Sequence, residues 1–126
     1  MKTNYLANKI LEHITGKTTY TKPTNTFAGL FTADPTSAGI TSGKEVSGGG
    51  YTREQVAWST AASGLIENTA LIEFDNMPAS EIKYWGIFDA VSGGNLLEYY
   101  AIEVPYKVPA GEDVTIDAGN LILKEK

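Results

Sequence analysis

Gly29-Leu30-Phe31-Thr32-Ala33-Asp34-Pro35 is an apolar run that ends in a turn signal. Two later runs repeat that arrangement, Val46-Ser47-Gly48-Gly49-Gly50-Tyr51 and Trp85-Gly86-Ile87-Phe88-Asp89-Ala90. Together they read as strands punctuated by loops. Around the first run, Thr26 to Thr32 sets Phe27, Gly29 and Phe31 against Ala28 and Leu30. Both faces of that strand carry apolar residues, so both are expected to be covered.

Working outward, Ala33 to Gly50 is a long loop rich in Gly, Ser and Thr. Loops of such length in a compact domain are functional or mobile. Tyr51 to Ser59 reads as a strand with Val56 and Trp58 on one face. Thr69 to Asp75 alternates, with Ala70, Ile72 and Phe74 opposed to Thr69, Leu71, Glu73 and Asp75. Ile82 to Asp89 and Leu96 to Val104 form a hairpin around Ser92-Gly93-Gly94-Asn95. Val114 to Asp117 and Leu121 to Lys124 are expected to pair with each other around Ala118-Gly119-Asn120. Upstream, Leu6, Ile10 and Ile14 recur every four residues, flanked by Ala7, Leu11 and Tyr5. Thr3 or Asn4 can cap this helix and Gly16 can end it. The expectation is one domain over 1–126: an N-terminal amphipathic helix over 3–15, then an antiparallel β-sandwich of about seven or more strands over 26–126.

The chain has 126 residues, 42% hydrophobic and 20% charged, enough for a core without staples. Its 13 glycines, many between apolar runs, favour turns over a helical bundle. A formal charge of −5 without a basic cluster argues against a nucleic-acid partner. With no cysteine, disulfides and Cys-ligated zinc are excluded. Asn8, Lys9, Glu12 and His13 interrupt the first apolar stretch, so it does not read as a signal peptide. No stretch reaches membrane-spanning length. No repeat, heptad or collagen-like tract suggests a fibre shaft.

The sequence holds little that reads as chemistry. His13 is the sole histidine and falls on the polar side of the helix. Asp34 and Asp89 sit where turn-forming carboxylates belong. The carboxylates show no EF-hand spacing, and no pair of them is marked as a glycosidase acid and base. Ser47-Gly48-Gly49-Gly50 lacks the Lys-Ser/Thr of a phosphate loop and reads as a flexible hinge. The expectation is therefore no catalytic, metal or cofactor residue. Tyr84-Trp85 and Tyr99-Tyr100 are adjacent aromatics, and neighbours in a strand point to opposite faces. One of each pair should lean outward unless both faces are covered. The candidate contact residues are accordingly Leu6, Ile10, Leu11 and Ile14 on the helix, Tyr84 and Trp85 on the strand, and Asp34, Pro35, Thr36, Lys44, Glu45 and Tyr51 in and beside the long loop.

Several ordered blocks resemble a family of small tailed-bacteriophage virion proteins, commonly called tail fibre proteins. They are Tyr5 to Leu11, Gly29 to Pro35, Glu45 to Arg53, Gly86 to Ala90 with Gly93 to Leu97, and Val108 to Glu112. The segment Glu67 to Tyr84 shows least of the resemblance. It implies a non-enzymatic structural protein of the virion, assembled in the host bacterial cytoplasm, with no catalytic residue to carry over. Small size and the missing shaft place it first as a capsid decoration or cement protein bound to the major capsid protein. The alternative is a tail-fibre or tail-tip component, trimeric and near the host surface. In either case other virion proteins and further copies of itself are the expected partners, with no nucleic acid and no membrane. A host glycan has no support in the sequence.

Overall fold

In the computed structural model, which describes residues 1–125, the chain begins with the expected helix, α1 (Asn4–Ile14). Lys126, the last residue of the expected domain, lies outside the described residues. Thr3 is the cap: its hydroxyl accepts from Leu6 N–H at 3.4 Å and donates to the Leu96 carbonyl at 2.7 Å. The cap that starts the helix therefore also fastens it to the sheet.

The strands are β1 (Phe27–Phe31), β2 (Glu54–Gln55), β3 (Leu65–Glu67), β4 (Ile72–Phe74), β5 (Ser80–Phe88), β6 (Leu96–Val108), β7 (Val114–Ile116) and β8 (Ile122–Lys124). The main sheet has the order β2-β1-β5-β6, and every pairing in it is antiparallel. Two ribbons, β3-β8 and β4-β7, make up the remaining strand layer. The β-sandwich thus consists of one sheet facing two separate ribbons. The larger core lies between them, where Leu30, Ile82, Ile87 and Leu97 of the sheet meet Ile72, Phe74, Val114 and Leu121.

The register across β1 and β5 sorts the apolar residues onto two faces. Ala28, Leu30, Trp85 and Ile87 point to the larger core, while Phe27, Phe31, Tyr84 and Phe88 point the other way. In the middle of this second face Gly29 stands opposite Gly86. A Cβ on Gly29 would come within 2.7 Å of the Phe88 ring, and one on Gly86 within 2.7 Å of Leu96 and 3.0 Å of the Phe31 ring. The two missing side chains leave the slot in which Phe31 and Phe88 stack, with centroids 5.8 Å apart and planes 14° from parallel.

β6 stays paired with β5 to its end, Val108 against Ser80, but with one interruption. Between the pairs Ile82–Tyr106 and Tyr84–Ala101, four residues of β6 (Ile102 to Pro105) stand against Lys83 alone. This bulge leaves Val104 75% and Tyr106 51% exposed.

Several expectations need correction. The last two strands do not pair with each other; β7 pairs with β4 and β8 with β3. The cause is Asn68, which is buried and takes the place of a partner strand. Its side-chain oxygen accepts from Gly119 N–H and Leu121 N–H, and its amide donates to the Ala70 and Asp117 carbonyls. The 117–121 turn is wrapped around that side chain. The strand expected over Tyr51 to Ser59 shrinks to Glu54–Gln55, with a lone bridge at Trp58. The glycine run before it is no free hinge. Gly50 N–H donates to the Asn76 carbonyl at 2.7 Å, and a Cβ on Gly49 would meet that carbonyl at 2.8 Å. Ala70, expected on the buried face of its strand, is exposed, since pairing begins only at Ile72.

Gly86→Ala and Gly29→Ala each force a methyl group into the aromatic slot. Each is expected to cost about 1–3 kcal/mol, read as a lowered urea midpoint with an unchanged slope. Leu71→Ser, at a residue 55% exposed, is expected to stay within about 0.5 kcal/mol of the parent.

Candidate contact surface

Of the residues that could meet a partner, those on α1 divide along its length. Leu6 is buried, and Ile10 is half-buried against the larger core. Leu11, the next residue, and Ile14, one turn on from Ile10, are 57% and 70% exposed. The apolar stripe is thus core at its start and open surface at its end. His13, on the polar side, accepts from Tyr20 N–H through Nδ1 at 3.1 Å and ties the connector to the helix.

Tyr84 and Trp85 are both half-buried, because both faces of the sheet are covered. Trp85 stacks on Tyr100, its cross-strand partner, with centroids 4.7 Å apart, and packs on the larger core. Tyr84 packs with Phe31 and Phe88 on the other face. Neither stands free as an outward aromatic.

The loop from Ala33 to Gly50 covers that second face. Asp34 Oδ1 accepts from Thr36 N–H at 2.8 Å, the Asx turn expected there. Pro35 is buried, and Gly39 lies against Thr3 and Leu96. Lys44 donates to the Asp34 carbonyl, which closes the loop on itself. Its exit runs beside β1, where Val46 N–H donates to the Leu30 carbonyl. The length of the loop thus has a structural cause, and of its candidate residues only Asp34 and Thr36 are exposed.

Glu45 and Tyr51 serve an internal cluster centred on Arg53. The Arg53 fork donates to Glu45 Oε2 at 2.8 Å through Nε and to Glu45 Oε1 at 2.9 Å through Nη2. Its Nη1 donates to the Ala90 and Gly93 carbonyls at 3.0 and 2.8 Å. The guanidinium carbon lies 3.4 Å from the Phe88 ring centroid. The Tyr51 hydroxyl donates to Glu45 and accepts from Leu30 N–H. Burial, followed by the Glu45 carboxylate, pushes the Tyr51 pKa far above the ordinary phenol value. A hollow of about 460 Å³ lies over this cluster, rimmed by Ser47, Gly48, Val91 and Ser92. Arg53 was not among the sequence candidates, although Glu45, which it holds, and Tyr51, which bonds the same Glu45, were. Its spacing from Glu45 is nonlocal, so no periodicity marks it.

Among the described residues one group of three carboxylates converges. Glu73, Asp75 and Asp113 are all exposed and lie within 4.8 Å of one another. A hydrogen bond with Asp75 raises the Glu73 pKa, and Asp113 already accepts from Asn76 N–H at 2.8 Å. Asp89 closes the β5–β6 hairpin: Oδ1 accepts from Asn95 N–H at 2.7 Å and Oδ2 from the Asn95 amide at 3.0 Å.

A sequence profile described as podophage GP4 fiber I protein gp80 matches residues 1–124. The match includes the segment Glu67 to Tyr84, where resemblance had been least. No curated protein matches the chain.

Arg53→Ala leaves Glu45 buried without its partner and frees the Ala90 and Gly93 carbonyls. It is expected to cost about 3–5 kcal/mol in chemical denaturation, with Arg53→Lys recovering only part of the loss. A double-mutant cycle of Arg53 and Glu45 is expected to show coupling above about 1 kcal/mol.

Proposed function

We propose, since the chain belongs to the podophage GP4 fiber I protein gp80 family, that it is a non-enzymatic structural component of a phage tail fibre. The family match over residues 1–124 carries this reading. It reverses the order of the two placements drawn from the sequence. Small size and the missing shaft had favoured capsid decoration, whereas the family is one of fibre proteins. A β domain without repeats is compatible with a fibre when it forms a joint or a tip and not the shaft.

The reading assigns the exposed end of α1, Leu11 and Ile14, to contact with a neighbouring tail component. Two bulky aliphatic side chains that the fold leaves in water gain from burial at about 25 cal/mol per Å² of covered surface. Ile14 serves as the test position in preference to Ile10, because Ile10 also packs on the core.

Cryo-electron microscopy of the virion tests the placement. Density fitting this fold at the tail supports the fibre reading, and density repeated over the capsid lattice overturns it. Ile14→Asp is expected to fold within about 0.5 kcal/mol of the parent and to be depleted from purified particles. Normal incorporation of this variant would remove the helix end from the contact.

A further inference from the structure

β6 and the end of β8 bring two carboxyls together where the first residues of the chain cross them. Glu98, on β6, is only 5% exposed. Glu125, just past β8, lines the same hollow of about 190 Å³ as Glu98, with Leu65, Ile66 and Leu123 among the other walls. The Tyr100 hydroxyl donates to Glu98 Oε1 at 2.6 Å and accepts from Lys124 N–H at 3.2 Å, so it stitches the two strands. Lys2 spans the junction: its backbone bridges to Glu98 and its ammonium pairs with Glu125. The Met1 amine donates to the Tyr99 carbonyl and lies 4.0 Å from Glu98. The groups facing Glu98 are thus the Met1 amine and Lys2 from the first residues, Glu125 from the end of β8, and the Tyr100 hydroxyl from β6. β3 contributes only apolar residues to this hollow.

We propose that Glu98 and Glu125 share one proton and form a pH-operated latch, which holds β8 and the first residues against β6 in acid and loosens them as pH rises to neutrality. Two carboxyls facing one another, one of them buried, do not both ionise readily, so the buried one keeps its proton and donates it to the other. Burial first, then the hydrogen bond with Glu125, pushes the Glu98 carboxyl up to about 7. The same hydrogen bond holds Glu125 below the usual carboxylate value. The direction follows from linkage. A carboxyl raised in the folded state stabilises fully below its unfolded value, near 4.5, and that stabilisation is lost progressively as pH rises from there through about 7. The Met1 amine opposes part of the effect, because burial lowers its pKa and the fold gains when it loses its proton. Substitution at Glu98 separates the two contributions.

The test uses the full chain, with amide exchange at Ile122, Leu123 and Lys124 normalised to intrinsic rates, and carboxyl-carbon NMR at Glu98. Protection in the parent is expected to fall by up to about tenfold per pH unit between about pH 5 and 7 and to level off above 7, with a Glu98 midpoint near 7. In Glu98→Gln, which mimics the protonated acid, protection is expected to change by less than about twofold over that range. In Glu125→Gln, at a side chain 44% exposed, the Glu98 midpoint is expected to move toward ordinary carboxylate values. A parent midpoint in the ordinary range overturns the latch, as does flat protection in the parent. An equal fall in Glu98→Gln would show that the effect does not come from Glu98 and overturn the latch too. Should Glu98→Gln fail to fold, an unmoved Glu98 midpoint in Glu125→Gln would be the overturning result.

Discussion

Arg53 joins parts of the chain that nothing else in the sequence would bring together. Its fork holds Glu45 on the loop exit and two carbonyls in the β5–β6 turn, and its flat face lies on Phe88. A charge this buried is tolerated only when its donors are satisfied and an opposite charge is at hand. Here four donated hydrogen bonds and Glu45 meet both conditions. The consequence reaches well beyond the cluster. With the loop exit and the hairpin turn held together, the loop is fixed over the second face of the sheet. That cover keeps Phe31, Phe88, Leu96 and Tyr99 out of water.

The two-sided sheet explains which parts of the molecule were legible in the sequence. The helix was, because the spacing of Leu6 and Ile10 and a Thr cap are local signals. So were β1, β5, most of β6 and the two apolar faces of β1, which alternation alone displays. Strands near β4, β7 and β8 were too, but not β3 or the pairing of the ribbons. β3 is three residues long, too short for periodicity, and the partners of β7 and β8 are chosen by Asn68, a buried polar side chain whose role depends on residues far along the chain. Glu45 and Tyr51 looked like loop residues open to a partner, since Arg53 lies eight positions from Glu45 and Tyr51 bonds Glu45 and the Leu30 N–H, all with no regular spacing. The loop's length looked functional for the same reason: the face it covers is assembled from distant strands.

The surface that remains for other proteins is what this packing leaves over. Most of the aromatic side chains are drawn inward, so the exposed large apolar groups are mainly aliphatic, among them Leu11 and Ile14 at the helix end, Ile40 in the long loop and Val104 at the β6 bulge.

The free margin of β6 has a bearing on crowding. Sheets end in unpaired backbone groups, and a protein present in several copies on one particle holds those groups at high local concentration. Here the first residues of the chain cover the margin near Leu97 to Tyr99. Beyond them, the bulge breaks the line of donors and acceptors, Pro105 offers no N–H, and Lys107 places a charge on the rim. These features leave the margin of β6 a poor template for a strand of another molecule.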